Sequence, residues 1–144
     1  MIYVTRNLAG AAGRRGQALR KARISSHLIH YSVRNGCAIV RPEGACDEAT
    51  TEALARLAGS TLIDSKHLVL DLSRTKYVET PGYRWILRRL KELESHGKTL
   101  TVVGMPPSVE RAFKLLRLDE SVPTARDVTE ALKEIQGKRE VAVV

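Results

Sequence analysis

The chain reads as an α/β sandwich, one domain on a mixed, mostly parallel β-sheet of about five strands with about four α-helices. Three observations predict it. The dipeptide Asn35-Gly36 lies between two apolar runs, which is a strong short-range hairpin signal. The run His67-Leu68-Val69-Leu70-Asp71-Leu72 is nearly unbroken in its apolarity, as in a parallel strand covered on both faces. Beyond it, segments of helical period alternate with short strand-like runs, the order that builds crossovers on a sheet, with right-handed connections expected.

Each element follows in order. Residues 28–33 and 37–40 are the arms of the opening hairpin. Glu48 to Leu62 places Ala49, Ala53, Leu54, Leu57, Ala58 and Leu62 at the spacing of a helix lying on a sheet, with Asp47 or Thr50 as its cap. A second helix is expected from Thr80 to His96, with Tyr83, Ile86, Leu87, Leu90 and Leu93 on one stripe, Arg84, Arg88, Arg89, Lys91 and Glu92 on the polar face, and Gly97 as its stop. Lys98 to Val103 is the next strand. Pro107-Ser108 starts a helix that turns Val109, Ala112, Phe113 and Leu116 inward. Pro123 limits 121–125 to a short strand. Asp127 caps a last helix carrying Val128, Ala131, Leu132 and Ile135, and 138–144 is expected as a tail.

With 144 residues, 43% hydrophobic and 28% charged, the chain suits a single domain that buries about 68% of its unfolded surface. No run approaches the roughly 18 apolar residues of a membrane span, so no membrane role is expected. Cys37 and Cys46 form no C-x-x-C pair and no disulfide framework, and a reducing cytoplasm is the simpler setting. Of the formal charge of +8, residues 1–25 hold +6 with no acid. This head is expected to be a mobile basic arm, with a short helical possibility near Gln17 to Ile24, ahead of a domain spanning 26–137. An arm of this kind offers sequence-independent, salt-sensitive nucleic-acid binding at most, and aromatics at 4% of residues leave no stacking platform.

Catalysis has little support. His27, His30, His67 and His96 are scattered without an H-E-x-x-H pattern, the carboxylates form no metal-ligand cluster, and Gly10-Ala11-Ala12-Gly13 follows no core strand that would make it a phosphate loop. No enzyme activity, metal or cofactor is expected. The informative stretch is Tyr77-Val78-Glu79-Thr80-Pro81-Gly82-Tyr83, where the second helix begins. Thr80 suits an N-cap and Pro81 a first helical position. A phosphoryl group on that hydroxyl would place about −1.5 to −2 charges at the positive end of the helix dipole.

Three motifs, in this order, resemble those of the STAS family of anti-sigma factor antagonist and stressosome-type domains. They are Gly44-Ala45-Cys46-Asp47-Glu48-Ala49-Thr50, then Leu68-Val69-Leu70-Asp71-Leu72-Ser73 running into Tyr77-Val78-Glu79-Thr80-Pro81-Gly82, then Val109 to Leu118 with Glu130-Ala131-Leu132. Together they cover about Leu28 to Ile135. The resemblance implies a STAS-like sandwich and a non-catalytic cytoplasmic interaction module. Its partner would be an anti-sigma factor with serine/threonine kinase activity of the histidine-kinase-like type, released when a loop hydroxyl is phosphorylated. Self-association into a homodimer or a stressosome-type STAS–STAS scaffold is the other form it allows. The sequence departs from the family pattern at Glu79, where aspartate is usual, and at Pro81, where the phosphate acceptor most often stands. Thr80 is the remaining hydroxyl and the candidate acceptor.

The expected partner surface comprises Asp47, Glu79, Thr80 and Gly82, extended along the second helix by Arg84, Trp85 and Arg88. Trp85 falls off the expected core stripe among arginines, the residue types enriched at binding hot spots. The alternatives are structural: Asp47 as a helix cap, Glu79 as a solvated turn residue, and Trp85 packed on the head or on a neighbouring helix.

Overall fold

The computed structural model describes residues 2–6, 20–24 and 27–142, with side chains over 29–137. Its strands are β1 (Ile2–Arg6), β2 (Arg20–Ile24), β3 (His27–Arg34), β4 (Cys37–Arg41), β5 (Gly44–Cys46), β6 (His67–Asp71), β7 (Thr75–Val78), β8 (Leu100–Val103) and β9 (Thr124–Ala125). The helices are α1 (Glu48–Ala58), α2 (Thr80–Glu94), α3 (Pro107–Leu115) and α4 (Val128–Ala142), with a 3₁₀ turn at Leu118–Glu120. The main sheet runs β1-β2-β3-β4-β6-β8-β9, and β5 pairs with β7 in a separate ribbon.

The β3–β4 hairpin turns on Asn35 and Gly36 at φ of 50° and 77°, the pair of left-handed residues that a two-residue hairpin turn requires. From β4 onward the pairing is parallel through β6, β8 and β9. The five strands from β3 to β9 of this sheet are thus the mixed, mostly parallel sheet expected, with four helices.

Alternation along the strands divides the core. Ala38 and Val40, Leu68 and Leu70, and Leu100 and Val102 pack beneath α1, α2 and α3. Cys37, Ile39, Val69 and Val103 pack beneath Ala131 and Ile135 of α4. Covering both faces explains why β6 has no polar alternate.

Several boundaries differ from the sequence expectation. Two segments of the basic head, expected as a mobile arm, are antiparallel strands that extend the sheet, and Arg20–Ile24 is a strand rather than part of a helix. The β3 edge offers backbone partners to any extended segment whatever its composition. α1 stops at Ala58, where Gly59 caps it, leaving Leu62 exposed while Ile63 fills the core. Leu116 lies beyond the end of α3 and is exposed. α4 continues through Gly137 to Ala142, where a tail was expected from residue 138.

Candidate functional site

The β5–β7 ribbon sets the start of α1 beside the start of α2. Gly44, at φ +77°, donates its N–H to Arg74 O at 2.9 Å, and the Glu79 N–H donates to Cys46 O at 3.0 Å, so residues 46–47 and 78–79 leave the ribbon together. On the first branch Asp47 caps α1, its carboxylate accepting from Thr50 N at 2.9 Å. The Thr50 hydroxyl donates to Ala45 O at 3.0 Å and the Thr51 hydroxyl to Asp47 O at 2.7 Å, which fixes this turn from both sides.

On the second branch the cap is one residue earlier than expected. Glu79 occupies it, its carbonyl accepting from Gly82 N at 2.9 Å and Tyr83 N at 3.3 Å, and its side chain makes no cap bond. Thr80 is therefore the first helical residue and Pro81 the second. The Thr80 side chain is exposed and has no hydrogen bond among the described residues. The missing N–H of Pro81 falls among the helix's unpaired donors, so it costs nothing there.

Of the expected surface residues, Asp47 is half-buried, and Glu79, Thr80, Arg84 and Arg88 are exposed. Thr80, Arg84 and Arg88 stand four residues apart and so form one row along α2. Two residues are corrected. Trp85 is 9% exposed and belongs to the core with Ile86, Leu90 and Leu93, because the buried stripe of α2 runs Gly82, Trp85, Ile86, Leu90, Leu93, with Tyr83 and Leu87 at its margin. Gly82 is buried too; a Cβ there would lie 2.7 Å from Val78 Cγ1 and 3.2 Å from Cys46 Sγ.

Beneath the exposed row the site is apolar. Burial pushes the Cys46 thiol up, against its hydrogen bond with the Thr51 hydroxyl, with Asp47 and Glu79 adding to the rise. Burial also raises Tyr83, whose ring meets Phe113 edge-on at 5.6 Å. Sequence reading missed the place of Arg89. Helical period places it on the polar face, but its guanidinium reaches Ala58 O at 3.1 Å, Asp64 O at 3.2 Å and Glu92 Oε2 at 3.1 Å, closing the C-terminal end of α1 and the turn after it. No cluster of three or more His, Cys, Asp or Glu side chains among the described residues could hold a metal ion. No helix among them is long and apolar enough to cross a membrane.

The α/β sandwich thus presents two helix starts and the exposed Thr80 side chain on one edge. The chain belongs to the STAS domain family, whose sequence profile matches residues 29–131. It is similar to an anti-sigma factor antagonist from Mycobacterium paratuberculosis, with 25% identity, a TM-score of 0.67, and coverage of 75% of this chain and 92% of that one. The fold is also that of RsbS from Moorella thermoacetica, at 20% identity and a TM-score of 0.61 over 78% of this chain and 97% of that one. It is likewise that of the phosphorylated Bacillus cell fate determinant SpoIIAA, at 17% identity and a TM-score of 0.58 over 74% and 98%.

Proposed function

We propose that this protein is a non-catalytic regulatory domain acting as an anti-sigma factor antagonist in the cytoplasm. It binds an anti-sigma factor of the histidine-kinase-like serine/threonine kinase type and is released on phosphorylation of Thr80. The observation that carries the reading is the exposed, unbonded Thr80 side chain on the first residue of α2, at the head of the row Thr80-Arg84-Arg88. A kinase needs the hydroxyl in reach. Before transfer the two arginines are open to a partner's carboxylates; afterwards the phosphoryl group competes for Arg84 and is held by the helix dipole. In this reading Asp47 and Glu79, at the two adjoining helix starts, offer carboxylates to a partner's basic group.

Affinity capture from lysate of the source organism tests this, with wild type and Thr80→Glu as baits and mass spectrometry of partners and phosphosites. Recovery of a histidine-kinase-like anti-sigma factor by wild type, and its loss with Thr80→Glu, is the expected result. Equal recovery by both baits with no phosphate on Thr80 would sink the switch and leave a constitutive binding or self-associating STAS module.

A further inference from the structure

The main sheet ends on two strands of very different capacity. β9, at one end, is two residues long and follows Pro123, so it has little backbone to offer a further strand. β1, at the other, is five residues long and pairs with β2 in unbroken register from Ile2↔Ile24 to Arg6↔Arg20. Its outer side has no strand among the described residues. Free edges are ordinarily blunted by proline, by a bulge or by charge. Ile2-Tyr3-Val4-Thr5-Arg6 has none of these before Arg6, and four of its five residues are the β-branched and aromatic types that suit a strand. The family profile begins at residue 29, so this edge is built from residues outside it.

The strand is complementary to itself. Set antiparallel to a second copy about a two-fold axis at Val4, β1 places Val4 opposite Val4, Tyr3 opposite Thr5 and Ile2 opposite Arg6. All five residues then pair, and no two cations face each other. The Arg6 rows of the two copies, each continued by Arg20, fall at opposite ends of the joint, about 13 Å apart along the strands. Lys21 and Arg23 stand one strand back, so three strand spacings, about 14 Å, separate them from their counterparts. Both separations exceed the roughly 8 Å screening length at physiological salt, so the basic head opposes the joint little. We infer that β1 joins two copies of this chain into an antiparallel two-fold dimer with one sheet running through both. Because each copy spends its long edge on the other and β9 is too short to add a third, the assembly closes as a dimer instead of growing into a filament. The inference does not rest on Thr80 or on the proposed partner.

Sedimentation velocity of the full chain over a concentration series at physiological salt tests this, and a monomer–dimer equilibrium with no larger species is expected. Ile2 supplies a charge test, since each substitution acts twice in a symmetric pair. Ile2→Lys sets an ammonium opposite Arg6 and is expected to weaken the dimer at least tenfold, whereas Ile2→Glu sets a carboxylate there and is expected to hold or tighten it. A role for Ile2 in folding alone would move both variants the same way. Single added cysteines locate the axis, because the native Cys37 and Cys46 are buried. Val4→Cys stands opposite itself at a Cα separation of about 4.5–5.5 Å, within disulfide reach, and is expected to cross-link under mild oxidation. Arg6→Cys, about 13 Å from its counterpart, is not. A monomer at every concentration, a dimer equally affected by the two Ile2 variants, or equal cross-linking at both cysteines would overturn the inference. None of these outcomes bears on Thr80.

Discussion

Gly82 shows how little room separates binding from packing at this site. In the sequence it is one letter of a motif; in the structure it lets the first turn of α2 settle on Val78 and Cys46. Gly82→Ala is expected to lose about 1–3 kcal/mol, the usual cost of overpacking, because the 2.7 Å approach to Val78 Cγ1 cannot stand. Urea denaturation checks it, and an unchanged midpoint would show that the ribbon shifts at no cost. Cys46, on the same floor, sets a pH dependence. Its folded pKa lies above the ordinary thiol value of 9.0, so the unfolded chain releases the proton first. The contribution to stability is complete below that value and fades as pH rises through the raised folded pKa; Tyr83, also raised, acts with the same sign. Stability is therefore expected to hold through neutral pH and fall on the alkaline side, with a smaller fall in Cys46→Ala, measured by denaturation at a series of pH values.

At the scale of elements, α2 is where sequence and structure diverge most usefully. The helix, its proline and its glycine stop were all legible, because capping and period depend on near neighbours in the chain. Which side of it faces inward was legible only to within about 50°, half a residue's turn on a 100° step. That offset decides the roles of Trp85 and Arg89. Trp85→Ala is expected to cost about 3–5 kcal/mol of stability, as for other buried tryptophans, whereas Arg84→Ala and Arg88→Ala stay within about 0.5 kcal/mol. Equilibrium unfolding of the three variants separates a core residue from surface ones. Arg89 joins α2 to the end of α1 and to the turn after it through the carbonyls of Ala58 and Asp64. Its replacement by methionine is expected to cost about 1–3 kcal/mol, with lysine only a partial rescue, since an ammonium has no planar fork.

For the whole molecule, the order of the main-sheet strands from β3 to β9 and of the four helices could be read directly, and so could the STAS resemblance, since its motifs sit at turns and helix starts; the β5–β7 ribbon could not, its strands being three and four residues long. The head could not. It lacks an apolar run, and its two strands exist because β3 leaves an edge to which β2 and then β1 add in antiparallel register. Deleting residues 1–25 is expected to expose that edge and lower both the urea midpoint and its slope; a chain beginning at Ser26 with unchanged unfolding would show that these strands add no stability.

By itself the sequence determined the α/β class, the hairpin, the caps at Asp47 and Asp127 and the family, because each depends on residues close together in the chain. Only the tertiary structure decided that Trp85 and Gly82 serve the core, that Arg89 closes α1, and that Thr80, Arg84 and Arg88 are what the edge presents. Burial is fixed by contacts between segments tens of residues apart, and one chain's periodicity gives the angle of a helix too coarsely to specify them.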